Sequence, residues 1–98
     1  MGGNYQPMGH VQIVLNMFDY GMDGQQAIDF PCFFWKDDVV EAETGTPRST
    51  VEGLRARGHG GWAPRHASGG PQATKIDWHR GVLISGSEPR KEGCALGY

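Results

Sequence analysis

The stretch MGGNYQPMGHVQIVLN, residues 1–16, decides how this chain begins, because paired glycines run directly into a helical pattern. The apolar residues recur at the i, i+3, i+4, i+7 spacing of an amphipathic helix: Val11, Val14, Leu15 and Phe18. We predict a helix over residues 10–20. Ile13 and Met17 widen the stripe, so we expect the helix to be buried on more than one side. Such a start is unusual for an independent domain and natural for the back half of a larger one.

Capping patterns predict two further helices. Asp23 followed by Gln26 has the spacing of a capping box, and Ser49 followed by Glu52 has the same spacing. Gly58 then follows as a helix-ending residue. The predicted helices after the first one cover residues 24–30 and 49–57.

Short β-prone runs account for most of the remaining chain. Two runs flank a predicted turn at residues 36–38, and a hairpin turns at Gly81, which can adopt a positive φ. The segment 59–71 is rich in Gly, Pro, Ser and His, so we predict a loop with a short strand around Trp62. The predicted strands are residues 32–35, 39–43, 73–78 and 81–86.

This element order predicts an α+β fold, with helices on one face of an antiparallel sheet. Ninety-eight residues allow one domain, so residues 1–98 are predicted to form a single domain or a domain fragment. A chain of this length buries only about 60–65% of the surface that its unfolded form exposes, so its core is marginal.

Composition excludes several functional classes. The net charge of −2 offers no electrostatic footprint for nucleic acid, and no apolar run is long enough to span a membrane. The first residues lack a basic region followed by an apolar stretch, so the sequence favours a cytoplasmic location and two reduced thiols, Cys32 and Cys94.

Both ends of the chain resemble the gamma-glutamyltransferase family of N-terminal-nucleophile hydrolases. In that family a glycine pair precedes a helix of the type G-H-V-Q-V-L-x-N, as it does in residues 1–16. The family's small subunit ends near D-P-R-x-D-G-x-A-x-G-Y, and residues 86–98 read GSEPRKEGCALGY. The matching order runs through most of the chain, which therefore looks like the C-terminal part of such a subunit.

The resemblance implies a fold, a reaction and a site. The chain would be the C-terminal portion of a four-layer αββα sandwich, in an enzyme that hydrolyses or transfers a gamma-glutamyl or related acyl-amide group without any cofactor. Gly2 and Gly3 would offer backbone N–H groups to the oxyanion of the tetrahedral intermediate. Preorganised donors of this kind contribute roughly 3–4 kcal/mol each.

The family's nucleophile is a threonine at the freed N-terminus of the small subunit, with its own α-amine as base. No threonine of this chain lies in a matching context: Thr44, Thr46, Thr50 and Thr74. The isolated chain is therefore expected to be inactive, and its expected partner is the upstream segment or large subunit of the same enzyme.

One family position differs and one is retained. The family commonly reads Asp-x-Pro-Arg after the second helix, whereas residues 29–32 read Asp-Phe-Pro-Cys. A thiol cannot reproduce the bidentate, permanently charged contacts of arginine, so any ion pair made at Cys32 in the family is in doubt. Arg90 matches the other typical arginine, and its implied role is structural, holding the tail by a charge pair.

Other interpretations of the residues are weaker or remain open. The histidines and cysteines match no zinc spacing, and the glycine-rich segment 59–70 lacks the lysine of a phosphate loop, so no metal or cofactor is expected. The aromatic neighbours of Cys32 favour a buried, inert thiol. A non-catalytic α+β interaction module that self-associates, as a dimer, is the alternative to the enzyme part.

Overall fold

The computed structural model describes residues 3–65 and 70–97, and for residues 61–65 only the backbone. The helices and strands of the described residues follow in this order: α1 Gln6–Phe18, α2 Gly24–Asp29, β1 Phe33–Lys36, β2 Val39–Glu43, α3 Arg48–Ala56, β3 Gly61–Arg65, β4 Gln72–Asp77 and β5 Val82–Ser87. The predicted α+β class is confirmed. Two compact units are present, residues 1–30 with 69–98, and residues 31–68. That residues 1–98 act as one domain stays a prediction.

In the first unit, α2 packs on the hairpin of β4 and β5, and α1 packs beside α2. The apolar core of this unit includes Tyr5, Ala27 and Ile28, and Ile28 is fully buried. β4 and β5 pair antiparallel with Ile76 opposite Leu83. The predicted hairpin is confirmed, and each of its strands ends within a residue or so of its predicted limits.

The first helix begins earlier than the sequence pattern indicates. α1 starts at Gln6 and follows a 3-10 turn at Gly3–Tyr5, with Pro7 in its first turn. Proline fits there because its missing N–H would have no intrahelical partner anyway. The predicted start at residue 10 was therefore four residues too late.

The prediction that α1 buries its apolar stripe was wrong for the described structure. The α1 apolar face, which we define as Val11, Val14, Leu15 and Phe18, is exposed on all four side chains. The buried residues of α1 are instead Gly9 and Gln12. The spacing of the apolar residues predicted the helix correctly, but the periodic pattern does not indicate what covers the helix.

The two capping predictions had opposite outcomes. At α2 the Asp23 side chain accepts a hydrogen bond from the Gln26 N–H at 2.8 Å, and the Gln26 side chain accepts one from the Asp23 N–H at 3.0 Å, which completes the predicted capping box. At α3 the N-cap is Pro47, with no side-chain cap. Ser49 lies inside α3, so the predicted second capping box was wrong.

The second unit holds a three-stranded sheet in the order β1-β2-β3. β1 and β2 pair antiparallel across the predicted turn, where Asp37 and Asp38 have φ values of 50° and 61°. β2 and β3 pair parallel, with α3 as the connection between them. A parallel pair requires such a crossover. The strand predicted around Trp62 is confirmed, but its parallel pairing departs from the antiparallel sheet that the sequence predicted.

Candidate functional site

The start of the chain was the predicted oxyanion site. Gly3 lies in the 3-10 turn that leads into α1, with a φ of +62°, whereas Gly2 lies outside the described residues. A Cβ built on Gly3 would meet no atom within 4 Å. The positive φ is therefore what favours glycine at this position, and the space beside its backbone is open on this chain. Tyr5, which is buried, anchors the far end of the turn.

Arg90 anchors the tail of the chain to α2. Its guanidinium donates to both carboxylate oxygens of Glu88, with Nε to Oε1 at 2.6 Å and Nη2 to Oε2 at 2.7 Å. Nη2 also donates to the backbone carbonyl of Ile28 at 2.8 Å. Arg90 therefore forms its charge pair with Glu88, and it makes a second contact with the last turn of α2.

The Glu88 carboxyl is almost fully buried, at 1% exposure. Its burial acts to raise the pKa, but the hydrogen bonds from the Arg90 side chain and backbone, with the positive charges of Arg90 and Lys91, outweigh that effect. The pKa of Glu88 is therefore held below its ordinary value of 4.5. The carboxylate stays ionised and remains available to hold Arg90.

A second polar contact joins α2 to the end of β5. The Gln25 side chain donates to the Ser87 carbonyl at 2.9 Å and accepts from the Ser87 N–H at 3.0 Å, much as a neighbouring strand would. The Ser87 hydroxyl donates to Gln72 Oε1 at 2.7 Å. Sequence reasoning missed Gln25, because a glutamine in a helix pattern has no signal that specifies a partner 62 residues away.

Two glycines allow the close approach on which these contacts depend. A Cβ on Gly86 would lie 3.1 Å from the Gln25 backbone nitrogen. A Cβ on Gly93 would lie only 2.5 Å from the Glu88 carbonyl oxygen and 2.6 Å from the Ser87 hydroxyl. The tail can therefore fold back against residues 87 and 88 only if position 93 carries no side chain.

Cys32, where the family pattern has arginine, lies in the second unit. It is buried, and its N–H donates to Oε2 of the buried Glu43 at 2.9 Å. The Glu43 N–H donates in turn to the Cys32 carbonyl at 2.9 Å. The burial expected for Cys32 is confirmed. Cys32 and Cys94 are both free thiols.

Two of the threonine hydroxyls make structural hydrogen bonds. Thr46 Oγ1 donates to the Glu43 carbonyl at 2.8 Å, and Thr74 Oγ1 pairs with Ser85 Oγ at 3.1 Å. Within the described ranges, no cluster of His, Cys, Asp and Glu could hold a metal ion. None of the helices in residues 3–65 and 70–97 is long and apolar enough to cross a membrane.

Comparison with known proteins places this geometry in a family. The sequence profile of gamma-glutamyltranspeptidase matches residues 1–98. The glutathione hydrolase-like YwrD proenzyme of Bacillus subtilis (strain 168) is 33% identical over 107 aligned positions, which cover 98% of this chain and 20% of that protein.

Solved structures agree with the sequence comparison. Cephalosporin acylase from Bacillus halodurans superposes with a TM-score of 0.83 at 32% identity, covering all of this chain and 19% of that one. An acivicin-inhibited gamma-glutamyltranspeptidase, whose C-terminus has critical roles in autoprocessing and catalysis, gives a TM-score of 0.81 at 25% identity and covers 94% of this chain and 51% of that one.

These 98 residues therefore span about a fifth of the length of two relatives: 20% of the Bacillus subtilis proenzyme and 19% of the cephalosporin acylase. The family profile extends over the whole chain, and the fold agrees with solved members. The chain belongs to the gamma-glutamyltranspeptidase family.

Proposed function

We propose that these residues form the C-terminal part of a gamma-glutamyltransferase-like enzyme that hydrolyses or transfers a gamma-glutamyl or related acyl-amide group. The observation that carries the proposal is the family match over all 98 residues, combined with a span of only 20% of the Bacillus subtilis relative. The exposed α1 apolar face supports it, because the remaining polypeptide of such an enzyme would cover that face.

The proposed contribution to chemistry is the backbone of Gly2 and Gly3. Acyl transfer places negative charge on the carbonyl oxygen of the substrate, and N–H donors directed at that oxygen stabilise the tetrahedral intermediate. The open space beside Gly3 supports this role, since a substrate can approach the backbone there. Glycine reaches the φ of +62° at this position without strain, so it allows the turn that would present this N–H to the substrate.

The nucleophile is proposed to come from polypeptide outside these 98 residues. An N-terminal threonine in that polypeptide would attack the amide carbonyl, and its α-amine would accept the hydroxyl proton. Collapse of the tetrahedral intermediate would break the C–N bond, the departing amine would take up that proton, and the acyl group would remain on the threonine until water or an acceptor amine removes it. Thr46 and Thr74, whose hydroxyls are engaged in the contacts described above, have structural roles in this proposal. The Arg90–Glu88 pair would act as a structural anchor that keeps the tail on α2.

A second candidate function is a non-catalytic module that self-associates. The exposed α1 apolar face favours it as well, because a second copy could cover that face. The two candidates can be distinguished by joining these 98 residues to the rest of a family enzyme. Turnover should be restored only if the chain is part of such an enzyme.

The test is a chimera in which these 98 residues replace the matching region of the Bacillus subtilis proenzyme. We expect the chimera to cleave a chromogenic gamma-glutamyl anilide, and the purified 98-residue chain alone to give no turnover. Gly3→Ala keeps the backbone N–H but adds a Cβ at a φ of +62°, where an L residue is strained, so the displaced donor should lower kcat about 100-fold or more in the chimera. Gly97→Ala, at a position with open space, is the matched control. Turnover by the isolated chain, or a folded but inactive chimera, would contradict the proposal.

A further inference from the structure

The start of α2 contains the one Asp-Gly step of the sequence, Asp23-Gly24, and the sequence has no Asn-Gly step. Asp-Gly is the aspartyl sequence most prone to rearrange to isoaspartate, because glycine has no side chain to hinder attack by its backbone nitrogen on the preceding carboxyl group. Asp23 is exposed, so water reaches that carboxyl group. Gly24 is the first residue of α2, and the N–H groups of a first helical turn have no acceptor within the helix.

The capping box holds Asp23 in a conformation that does not react. Its carboxylate accepts the Gln26 N–H at 2.8 Å, and its own N–H donates to Gln26 Oε1 at 3.0 Å. Attack closes a five-membered ring, which requires Cβ and the Gly24 nitrogen to be nearly eclipsed about the Asp23 Cα–C bond. The ψ of 171° at Asp23 does not provide that arrangement. The bond must therefore rotate, and the capping hydrogen bonds must break, before the reaction can begin.

Packing against β5 leaves no room for a longer main chain at this point. A Cβ on Gly86 would lie 3.1 Å from both the Gly24 carbonyl carbon and the Gln25 nitrogen. The Gln25 side chain then bonds to the N–H and the carbonyl of Ser87. Isoaspartate adds one carbon atom to the main chain before Gly24, so residues 24 and 25 cannot keep these positions against β5.

We propose that Asp23-Gly24 is a site of isoaspartate formation, which the capping box suppresses in the folded chain and which loosens α2 from the β4–β5 hairpin once it has occurred. The Gly24 nitrogen bonds to Cγ of the protonated Asp23 carboxyl group, and the hydroxyl leaves with the amide proton as water to give a succinimide. Water then adds to the Asp23 backbone carbonyl carbon and breaks its bond to nitrogen. The chain now runs through Cγ beside a free α-carboxylate, with its mass unchanged. The inference is independent of the proposed function.

Peptide mapping of the aged chain tests the site and its suppression. The 98-residue chain is incubated at neutral pH, folded and in urea, and isoaspartate is identified by mass spectrometry with electron-transfer fragmentation. At Asp23 it should form at least about tenfold faster in urea, because the folded chain reacts only while the start of α2 is open. Asp77 is the internal control: its carboxylate also accepts backbone N–H groups, from His79 and Arg80. It precedes Trp78, so it should form no isoaspartate in either condition.

Two variants separate the reacting pair from the cap. Gly24→Ala should keep the fold, since the new Cβ would meet only Met17 Cε at 4.0 Å, and should slow the reaction in urea about tenfold or more by hindering the nitrogen. Gln26→Ala keeps the reacting pair and removes the acceptor for the Asp23 N–H. It should raise the rate in the folded chain about threefold, and leave the rate in urea unchanged.

Hydrogen exchange of the modified chain tests the loosening of α2. The Ser87 N–H, which donates to Gln25, should exchange at least about tenfold faster than in the unmodified chain. The Glu43 N–H, which donates to the Cys32 carbonyl in the second unit, is the control and should not change. Absence of isoaspartate at Asp23 in urea would overturn the site, and equal rates in the folded chain and in urea would overturn its suppression by the capping box. Unchanged exchange at Ser87 would overturn the loosening.

Discussion

Arg90 and Glu88 lie two residues apart, yet their pair holds together segments that are distant in sequence. The guanidinium reaches the Ile28 carbonyl, and the carboxylate that holds it is almost fully buried. Removing one partner of a buried pair is costly because the other charge remains buried without compensation. Individual residues in the tail therefore have large effects where their contacts reach α2.

We expect Glu88→Gln to lower the free energy of unfolding more at neutral pH than in acid. The pKa of Glu88 is below 4.5 in the fold, so its contribution is present above about pH 4.5 and is lost as the pH falls through the folded pKa. Urea unfolding at about pH 7 and about pH 3 measures this difference. Glu52→Gln, at the exposed i,i+4 pair with Arg48, is the control and should have a small effect. An equal loss from Glu88→Gln at both pH values would contradict the assignment.

Gly93→Ala should destabilise the chain by about 1–3 kcal/mol, because the new methyl group would overlap the Glu88 carbonyl and the Ser87 hydroxyl. Gly97→Ala adds the same methyl group in the same tail, where nothing lies within 4 Å, and should stay within about 0.5 kcal/mol of wild type. Chemical denaturation of both variants provides the comparison. Equal stabilities would show that the tail does not fold back against residues 87 and 88.

Among the elements, the two similar capping patterns show how local sequence can succeed or fail. Asp23 precedes α2 in an extended conformation, with its side chain free to accept from the Gln26 N–H. The same spacing predicted Ser49 as the N-cap of α3. The helix instead starts at Arg48, and Pro47 is its N-cap. Once Ser49 has helical backbone geometry, its side chain no longer occupies the N-cap position.

Asp23→Ala should therefore cost about 1 kcal/mol, the usual effect of losing an N-cap. Ser49→Ala should change stability by less than about 0.5 kcal/mol, because Ser49 is an exposed residue inside α3. Thermal and urea unfolding of the two variants tests both expectations. A larger loss for Ser49→Ala than for Asp23→Ala would favour Ser49 as a capping residue after all.

At the scale of the whole molecule, many large apolar side chains of the described residues lie on the surface and outside the core. The α1 apolar face is exposed along the length of the helix, and Phe18 reaches 72% exposure. Exposed apolar side chains on one face of a helix favour contact with another polypeptide. A family enzyme would provide that polypeptide in the proposed function, and a second copy would provide it in the alternative.

The isolated chain should consequently self-associate, with an associated fraction that rises with its concentration. The double variant Val14→Asp, Phe18→Asp should shift this equilibrium towards the monomer. Trp78→Asp is the control, because Trp78 is 82% exposed at the hairpin turn and lies outside the α1 apolar face. Sedimentation velocity at several concentrations measures the shift. Loss of association in the Trp78 variant alone would move the contact to the hairpin, and a wild-type monomer at every concentration would contradict the prediction.

The sequence by itself determined the types of element and the family. Periodic apolar residues predicted α1, the Asp23 and Gln26 spacing predicted the start of α2, and Gly81 marked the hairpin turn, where its φ is +66°. These features depend on residues close together along the chain, where spacing and backbone preference carry the information. The two end motifs, which resemble the gamma-glutamyltransferase family, agreed with the family match.

Only the tertiary structure decided which surfaces are covered and which distant residues meet. It showed the α1 apolar face exposed, the parallel pairing of β2 with β3, and the contacts that Gln25 and Arg90 make with residues 62 positions away. Periodicity reports that one face of an element is apolar but carries no information about its partner. Long-range partners depend on how the chain folds back, and at Gly93 and Gly86 that path leaves no room for a side chain without a shift of its neighbours.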